Sequence, residues 1–255
     1  MTRAPGAVLI KACLNGGRRH TEHQAIPITT AELASDSARA VAAGAAALHI
    51  HPRNSDGLET LDPGVCDSAV AAIRGTCQGV PIGITTIARI EPDPDRRLDR
   101  IKRWAVPPDF VSVNFYEPGA DALCAWLAER GIDIEAGLVA ATDVEALAAT
   151  GLAARFARIL VEAEDATPAS ALATAAAIDD ALDRAGITAP RLYHGLGVAT
   201  WTVIDAALAR GCDIRVGFED TLVLPDGRRA RDNADLVAAA AQLAGQHGLR
   251  PVTVT

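Results

Sequence analysis

The stretch ALHIHPRNSDG, residues 47–57, carries two histidines one residue apart at the end of a short apolar run. In a β-strand successive side chains point to opposite faces, so His49 and His51 would project from the same face. A single histidine in a strand is more often a hydrogen-bonded polar group than a ligand. The paired spacing at a strand end favours a site that binds a divalent metal.

A second polar group lies near the C-terminus, in DIRVGFEDTL, residues 213–222. Glu219 would complete a set of two histidines and one carboxylate, leaving a position open for substrate or water, as a catalytic zinc requires. Manganese, iron and cobalt accept the same ligands, so zinc is only a preference. Glu219 and Asp220 alone could form a solvated loop, and only the fold can connect them to the histidines.

Short β-rich runs alternate with alanine-rich helical stretches, which is typical of a parallel sheet covered by helices. The predicted strands span residues 7–14, 46–51, 81–86, 110–115, 133–138, 158–162, 191–195 and 213–218. Thr29 and Glu32 form a capping-box pattern before a helix predicted over residues 31–44, and another helix is predicted over 168–186, from a proline to a glycine.

Eight strand–helix units predict an α/β fold, a single (β/α)8 TIM barrel over residues 1–255. A doubly wound open sheet is the competing architecture, but CLNGGRRH after the first strand matches neither common phosphate-binding fingerprint. In a barrel the C-terminal strand ends form the active site. The second and eighth strands flank the first, so His49, His51 and Glu219 would meet there.

Other predicted strands also end on polar groups, each of which could cap a backbone or orient a neighbour. These groups are Asn15, Thr85, Thr86, Asn114, Glu117, Glu162, Glu164 and His194. Glu135 differs from them, because DIEAGLV places it between apolar neighbours. A buried carboxylate is costly unless it is paired or functional.

Composition excludes several classes of protein. Five scattered cysteines without a CxxC pattern argue against a disulfide framework or a thiolate zinc site. A net charge of −8 disfavours nucleic-acid binding. No apolar run is long enough to span a bilayer and the N-terminus does not look like a signal peptide, so we expect a cytoplasmic protein without a membrane partner.

The motifs HIHPR, SVNFYEPG and DIRVGFEDTLVLPDGRRARDNADLV together resemble the β-keto acid cleavage enzymes, the family typified by 3-keto-5-aminohexanoate cleavage enzyme. The likeness runs over most of the chain, although this chain is shorter than typical members. The resemblance implies a TIM barrel, a divalent metal that is usually zinc, and a homo-oligomer, usually a tetramer. The implied reaction is an acyl transfer in which a β-keto acid and acetyl-CoA give acetoacetate and a new acyl-CoA.

The resemblance also implies residue roles. His49, His51 and Glu219 would be the metal ligands. The catalytic residues would be Asp220 as base, Arg215 orienting it, Thr85 supplying a hydroxyl to it, and Glu135. Residues expected to bind substrate or CoA are Asn15, Arg18, Thr86, Asn114, His194 and Arg228. Arginines that could bind CoA phosphates, or could equally be solubilising surface residues, are Arg18, Arg19, Arg228, Arg229 and Arg231.

One departure from the family concerns the loop after the first strand. Many members carry an acid there, whereas NGGRR offers Gly17 and Arg18. If that acid recognises an amino group, this protein should not prefer an amino-bearing keto acid. Arg18 would then suit an extra carboxylate or the CoA phosphates, and Arg18→Ala would change the Michaelis constants.

Three alternatives remain open. A metal-dependent hydrolase of the amidohydrolase type usually has HxH on its first strand and histidines on strands five and six, where this chain has Glu135 and Glu162. A metal-dependent aldolase would share enolate chemistry without needing acetyl-CoA. A non-catalytic metal-binding barrel would have no need for Arg215 and Asp220 beside the ligands.

Overall fold

Eight parallel strands form a closed barrel in the computed structural model, which describes residues 5–253. The strands, numbered β1 to β8, are Ile10–Cys13, Ala47–Ile50, Ile82–Thr85, Phe110–Asn114, Asp133–Leu138, Phe156–Ala163, Arg191–Gly195 and Asp213–Val216. Each pairs in parallel with its neighbours in chain order, and β1 pairs with β8 to close the ring. The predicted TIM barrel is confirmed, and each predicted strand overlaps one strand of the barrel; the sixth, predicted over 158–162, extends over Phe156–Ala163.

Eight α-helices in the described part of the chain cover the barrel. Numbered α1 to α8, they are Thr30–Ala42, Pro63–Thr76, Pro94–Ile101, Ala120–Arg130, Asp143–Ala149, Pro168–Arg184, Thr200–Ala209 and Asn233–Gln246. The predicted capping box is present at α1, where Thr29 and Glu32 bond each other's backbone amides. Within residues 5–253, none of these helices has the length and apolar character needed to cross a membrane.

The first predicted strand is divided in two. Only Ile10–Cys13 joins the barrel, while Ala7–Val8 pairs in parallel with Arg250–Pro251 in a separate two-stranded sheet. The amide of Leu9 donates to Asp213 Oδ1 at 2.9 Å, which marks the break between the two pieces. The chain therefore enters the barrel three residues later than the sequence predicts.

Side chains alternate between a hydrophobic outer face and a polar barrel interior. In β1, Ile10 and Ala12 belong to the hydrophobic core. Lys11 lies between them and contacts Glu135 of β5 across the interior, with Nζ 2.5 Å from Oε2. Because strand residues alternate, His49 of β2 shares this interior with the ion pair. The barrel interior therefore holds His49 together with a buried ion pair.

Candidate active site

Two histidines and a glutamate converge at the carboxyl end of the barrel. His49 and His51 are each 2% exposed, and their Nε2 atoms lie 3.1 Å apart. Glu219, in the loop after β8, places its carboxylate oxygens 3.4 Å from His51 Nε2 and 3.8 Å from His49 Nε2. The amide of Glu219 donates to the carbonyl of Cys13 on β1. The three ligand atoms lie within 4.8 Å of one another, so the structure forms a candidate metal site.

The second nitrogen of each imidazole is engaged on the side away from this site. His51 Nδ1 lies 2.5 Å from Glu59 Oε1. Burial would raise the pKa of Glu59, but the hydrogen bond from His51 and a neighbouring guanidinium lower it to about 2, so the carboxylate accepts and His51 donates. Ser112 Oγ donates its single proton to Glu135 Oε2 at 3.1 Å, and it can therefore only accept from His49 Nδ1 at 3.3 Å.

These contacts leave both Nε2 atoms facing each other and the Glu219 carboxylate. Burial holds the pKa of His49 well below its ordinary value, whereas the pKa of His51 is raised, because Glu219 and Glu59 outweigh its burial. Glu219 Oε2 is buried and has no hydrogen-bond partner within the described chain. A divalent ion held by the two nitrogens and this carboxylate would give Oε2 the partner that it lacks. Two nitrogens and one carboxylate fit zinc, and also manganese, iron or cobalt.

Arg215 of β8 contacts both carboxylates that follow the strand. Its Nη2 lies 2.7 Å from Glu219 Oε1 and 2.8 Å from Asp220 Oδ1, and its Nε lies 3.0 Å from the same Oδ1. Burial would raise the pKa of Glu219, but Arg215 and the two histidines outweigh it and hold that pKa well below the usual range. Asp220 and Arg215 are both buried, with Asp220 0% and Arg215 5% exposed.

His194 of β7 lies between two carboxylates. Its Nδ1 is 3.4 Å from Asp220 Oδ1 and its Nε2 is 3.6 Å from Glu162 Oε1. Burial and Arg215 lower the pKa of His194, yet the two carboxylates outweigh them and raise it. Neither ring nitrogen has a hydrogen-bond partner in residues 5–253. His194 therefore links Asp220 to the sixth strand through ionic contacts only.

A cavity of about 260 Å³ opens beside the candidate metal site. The lining residues are Gly17, His49, His51, Thr85, Ile87, Arg89, Ser112, Asn114, Tyr116, Glu162, Glu164, Leu196, Arg215 and Glu219. Its two arginines are both paired, Arg89 with Glu59 and Arg215 with its neighbouring carboxylates. Glu162 and Glu164 also line the cavity, and Glu164 has no hydrogen bond or ion pair among the described residues; burial together with Glu162 raises its pKa. These two neighbouring carboxylates give the cavity an acidic wall.

Of the predicted hydroxyl and amide residues, Thr85 and Asn114 line the cavity, whereas Thr86 and Asn15 do not. Thr85 lines the cavity, but no hydrogen bond joins it to Asp220 within residues 5–253. Thr86 is turned away and donates to the carbonyl of Ser112 at 2.6 Å. Asn15 bonds both backbone groups of His51, at 2.9 and 2.8 Å, and so holds the end of β2. Asn114 lines the cavity, where it bonds the hydroxyl of Tyr116.

Glu135 lies beneath the cavity and does not line it. It is 0% exposed, and its oxygens lie 2.5 Å from Lys11 Nζ and 2.6 Å from Arg158 Nη1. Burial would raise the pKa of Glu135, but Lys11 and Arg158 lower it to about 2. Its connection to the candidate metal site is the hydrogen bond from Ser112, which also contacts His49.

The arginines expected near CoA phosphates lie outside the cavity. Arg18 bonds Glu22 at 2.8 Å, and Arg228 bonds Asp226 at 2.7 Å on the exposed surface. None of the five named arginines is among the lining residues that the structure describes. Their binding of CoA phosphates stays a prediction.

Sequence reasoning missed several residues around the site, among them Ser112, which contacts His49, and the charged and aromatic residues Glu59, Arg89 and Tyr116. Glu59 follows the HIH motif by eight residues and returns over His51, and Arg89 contacts Glu59 from the loop after β3. Tyr116 projects from the loop after β4 and is 44% exposed. The only sequence signal was the presence of charged and aromatic residues just beyond strand ends.

The chain matches the family model of BKACE, beta-keto acid cleavage enzyme, over residues 7–255. A 3-keto-5-aminohexanoate cleavage enzyme from Fusobacterium nucleatum subsp. nucleatum is 25% identical over 276 residues, covering 94% of this chain and 92% of the relative. The recognised resemblance is thus confirmed at the family level, and the chain is a distant homologue of that enzyme.

Solved structures share the barrel. ObcA, determined as a ternary complex with a C4-CoA adduct and oxalate, has a TM-score of 0.73 at 16% identity over 90% of this chain. This chain spans 65% of the length of that ObcA chain. A 3-dehydroquinate dehydratase from Geobacillus kaustophilus has a TM-score of 0.60 at 11% identity, over 94% of this chain and 90% of its own. Identities this low support the fold alone.

Proposed function

This chain belongs to the beta-keto acid cleavage enzyme family, and on that premise we propose that it is a metal-dependent acyltransferase. The proposed substrates are a β-keto acid and acetyl-CoA, and the products are acetoacetate and the CoA thioester of the remaining acyl fragment. One observation carries the proposal: His49, His51 and Glu219 converge beside a cavity whose wall also holds Arg215, bonded to Asp220.

The three converging residues would hold the metal, for which zinc is the preferred identity. A divalent ion bound there supplies a Lewis acid that polarises a keto oxygen and lowers the free energy of an enolate. The orphaned Oε2 of Glu219 and the two opposed imidazole nitrogens support this role.

Asp220 is the proposed base. It would remove a proton from the carbon between the keto group and the carboxylate of the substrate, while Arg215 fixes its orientation. Oδ1 takes the short contacts from Arg215, whereas the nearest Arg215 contact of Oδ2 is 3.4 Å, so Oδ2 is the freer oxygen. Asp220 is 0% exposed and is not among the described residues that line the cavity, whereas Arg215 is, so the proposal requires a rearrangement that exposes Asp220 to the substrate.

The remaining steps transfer the acetyl group and then cleave the carbon–carbon bond of the keto acid. The enolate carbon attacks the thioester carbonyl of acetyl-CoA and expels the CoA thiolate. The thiolate then attacks the original keto carbonyl, the carbon–carbon bond breaks, and the electron pair leaves on acetoacetate. The proton that Asp220 removed returns to that carbon. Thr85 and Asn114, which line the cavity, are the proposed substrate contacts.

The acidic wall supports a cationic substituent on the keto acid. Glu164 has no partner within the described residues, and the nearest base to Glu162 is His194 at 3.6 Å. An amino group, such as the one named in the substrate of the Fusobacterium relative, would neutralise this wall. Gly17 stands where many family members carry an acid, which predicts instead that an amino-bearing keto acid is not preferred. Turnover of cationic and anionic keto acids distinguishes the two expectations.

The experiment is a screen with acetyl-CoA over β-keto acids that bear cationic, anionic or apolar substituents. The proposal expects a new acyl-CoA and acetoacetate by mass spectrometry, formed only when both substrates are present. Consumption of a keto acid without acetyl-CoA would favour the aldolase alternative. Absence of any thioester product across the screen would contradict the proposed function.

Two further expectations complete the proposal. The family resemblance supports a homo-oligomer, a tetramer, which light scattering on the purified protein would test. The cytoplasmic location expected from the sequence would be tested by fractionation of the source cells.

A further inference from the structure

Glu59, a carboxylate outside the candidate metal site, forms a hydrogen bond with one of its histidines, His51. Glu59, in the loop after β2, accepts from His51 Nδ1 at 2.5 Å and from Arg89 Nη2 at 2.6 Å through the same oxygen, Oε1. Its other oxygen accepts from Arg89 Nε at 2.9 Å. The carboxylate therefore has a forked contact with one arginine and a short contact with His51.

This contact joins three loops of the barrel. Arg89 comes from the loop after β3, and its guanidinium passes beside Gly17 in the loop after β1. A Cβ built on Gly17 would lie 3.1 Å from Arg89 Nη2 and 3.6 Å from Glu59 Oε2. Because residue 17 has no side chain, the guanidinium has room to lie against the backbone of the first loop.

We propose that Glu59, held in place by Arg89, is a positioning residue of the metal centre: it fixes the His51 ring so that Nε2 faces His49 and Glu219. The inference rests on the proposed function, since it takes these three residues as metal ligands. A carboxylate bonded to the far nitrogen of a metal-binding histidine sets its tautomer and ring angle and strengthens it as a ligand. Glu59 is 14% exposed, so solvent does little to weaken the contact.

Arg89 acts in this scheme only through Glu59. Two of its nitrogens are committed to that carboxylate, which restricts the rotamers available to the glutamate. Two residues that act through one contact give non-additive effects when both are replaced. The alternative, in which Arg89 binds an anionic substrate directly, predicts a raised Michaelis constant with unchanged metal affinity.

The test is a cobalt(II) titration of the full chain, followed by visible absorption and by competition with a chelator. Glu59→Gln should weaken cobalt binding by about 10- to 100-fold and alter the absorption spectrum. Arg89→Gln should weaken it by a smaller factor, and the double variant should match Glu59→Gln alone. The control is Arg74→Gln. Arg74 is 40% exposed, close to the 46% of Arg89, and its ion pair with Asp109 at 3.1 Å lies away from the cavity, so cobalt binding should be unchanged.

Circular dichroism melting of each variant separates positioning from folding. Cobalt affinity of folded Glu59→Gln within about twofold of the unsubstituted protein would overturn the inference, as would additive effects of the two substitutions. In either case cobalt binding by the unsubstituted protein would leave the proposed metal centre standing. Failure of the unsubstituted protein to bind cobalt would overturn both.

Discussion

Arg215 holds Asp220 through two of its nitrogens, with Nε and Nη2 lying 3.0 and 2.8 Å from the same carboxylate oxygen. The same Nη2 lies 2.7 Å from Glu219. One guanidinium therefore sets the separation between the proposed base and a proposed metal ligand. The two carboxylates are consecutive in the chain, and the proposed function gives them different roles.

The first prediction concerns Asp220→Asn. Asparagine keeps the shape of the side chain but cannot accept the substrate proton, so kcat/KM should fall by about 10²- to 10⁴-fold. The metal content per chain should not change, because Asp220 is not among the three converging ligands. Steady-state kinetics and elemental analysis check the two parts.

Asp183→Asn is the matched control for that substitution. Asp183 is an exposed carboxylate that also contacts an arginine, Arg191, and its loss should leave turnover unchanged. Turnover of Asp220→Asn within about tenfold of the unsubstituted protein would show that Asp220 is not the base.

The second prediction concerns Gly16, whose φ is +50°. A Cβ at this position would overlap Cγ of Glu219 and lie 2.9 Å from its Cβ. Gly16→Ala should therefore displace Glu219 and weaken metal binding by about tenfold or more, as loss of ligand geometry does. The dissociation constant of the metal, measured by chelator competition, checks this.

Gly131→Ala is the control for Gly16→Ala, because it introduces backbone strain without displacing Glu219. Gly131 has φ of +70°, but nothing lies within 4 Å of a Cβ built there. It should lower the free energy of unfolding by about 1–2 kcal/mol without changing metal affinity. Equal metal affinities in the two alanine variants would refute the proposed displacement.

The third prediction concerns the pH dependence of stability. Asp36 of α1 is 1% exposed and accepts from Asn233 at 2.5 Å. Burial raises its pKa from 3.8 to about 6. Because the folded pKa exceeds the unfolded one, the folded state binds the proton more tightly. The resulting stabilisation is complete below pH 3.8 and is lost as the pH rises through 6.

Lowering the pH from about 7 to about 5 should therefore raise the free energy of unfolding by about 1 kcal/mol relative to Asp36→Asn. Urea denaturation of both proteins at the two pH values measures this difference. The lowered pKa values of Glu59 and Glu135, both about 2, keep these groups ionised across that range. A difference of zero or of opposite sign would rule out a raised pKa for Asp36.

The fourth prediction concerns Glu135→Gln. The substitution leaves Lys11, which is 0% exposed, without its carboxylate, and breaking a buried ion pair costs about 3–5 kcal/mol of stability. Adding Lys11→Met should restore part of that stability, because it removes the uncompensated charge. Chemical denaturation of the single and double variants measures both effects. A loss below about 1 kcal/mol in the single variant would contradict this role.

The barrel and the meeting of His49, His51 and Glu219 could be predicted from sequence because both follow from local pattern. Eight strand–helix repeats define the closed sheet, and strand alternation puts the two histidines on one face. The second and eighth strands flank the first, which brings the glutamate to them. These relationships require no knowledge of loop conformation.

Loops and long side chains could not be predicted in this way. Glu59 reaches His51 because its loop folds back, as the antiparallel bridge between Arg53 and Glu59 shows. Arg18 and Arg228 pair with acids in their own loops, so their distance from the cavity depends on local rotamers rather than on spacing. The division of the first strand likewise depends on a side chain distant in sequence, which bonds the amide of Leu9.

The most direct test of the central claim, a divalent metal held by His49, His51 and Glu219, is metal removal and replacement. The protein is dialysed against a chelator, its metal content is measured, and acetyl-CoA-dependent turnover is followed as zinc is added back. One ion per chain should restore turnover in the unsubstituted protein and not in His51→Ala. Full turnover by metal-free protein would contradict the claim.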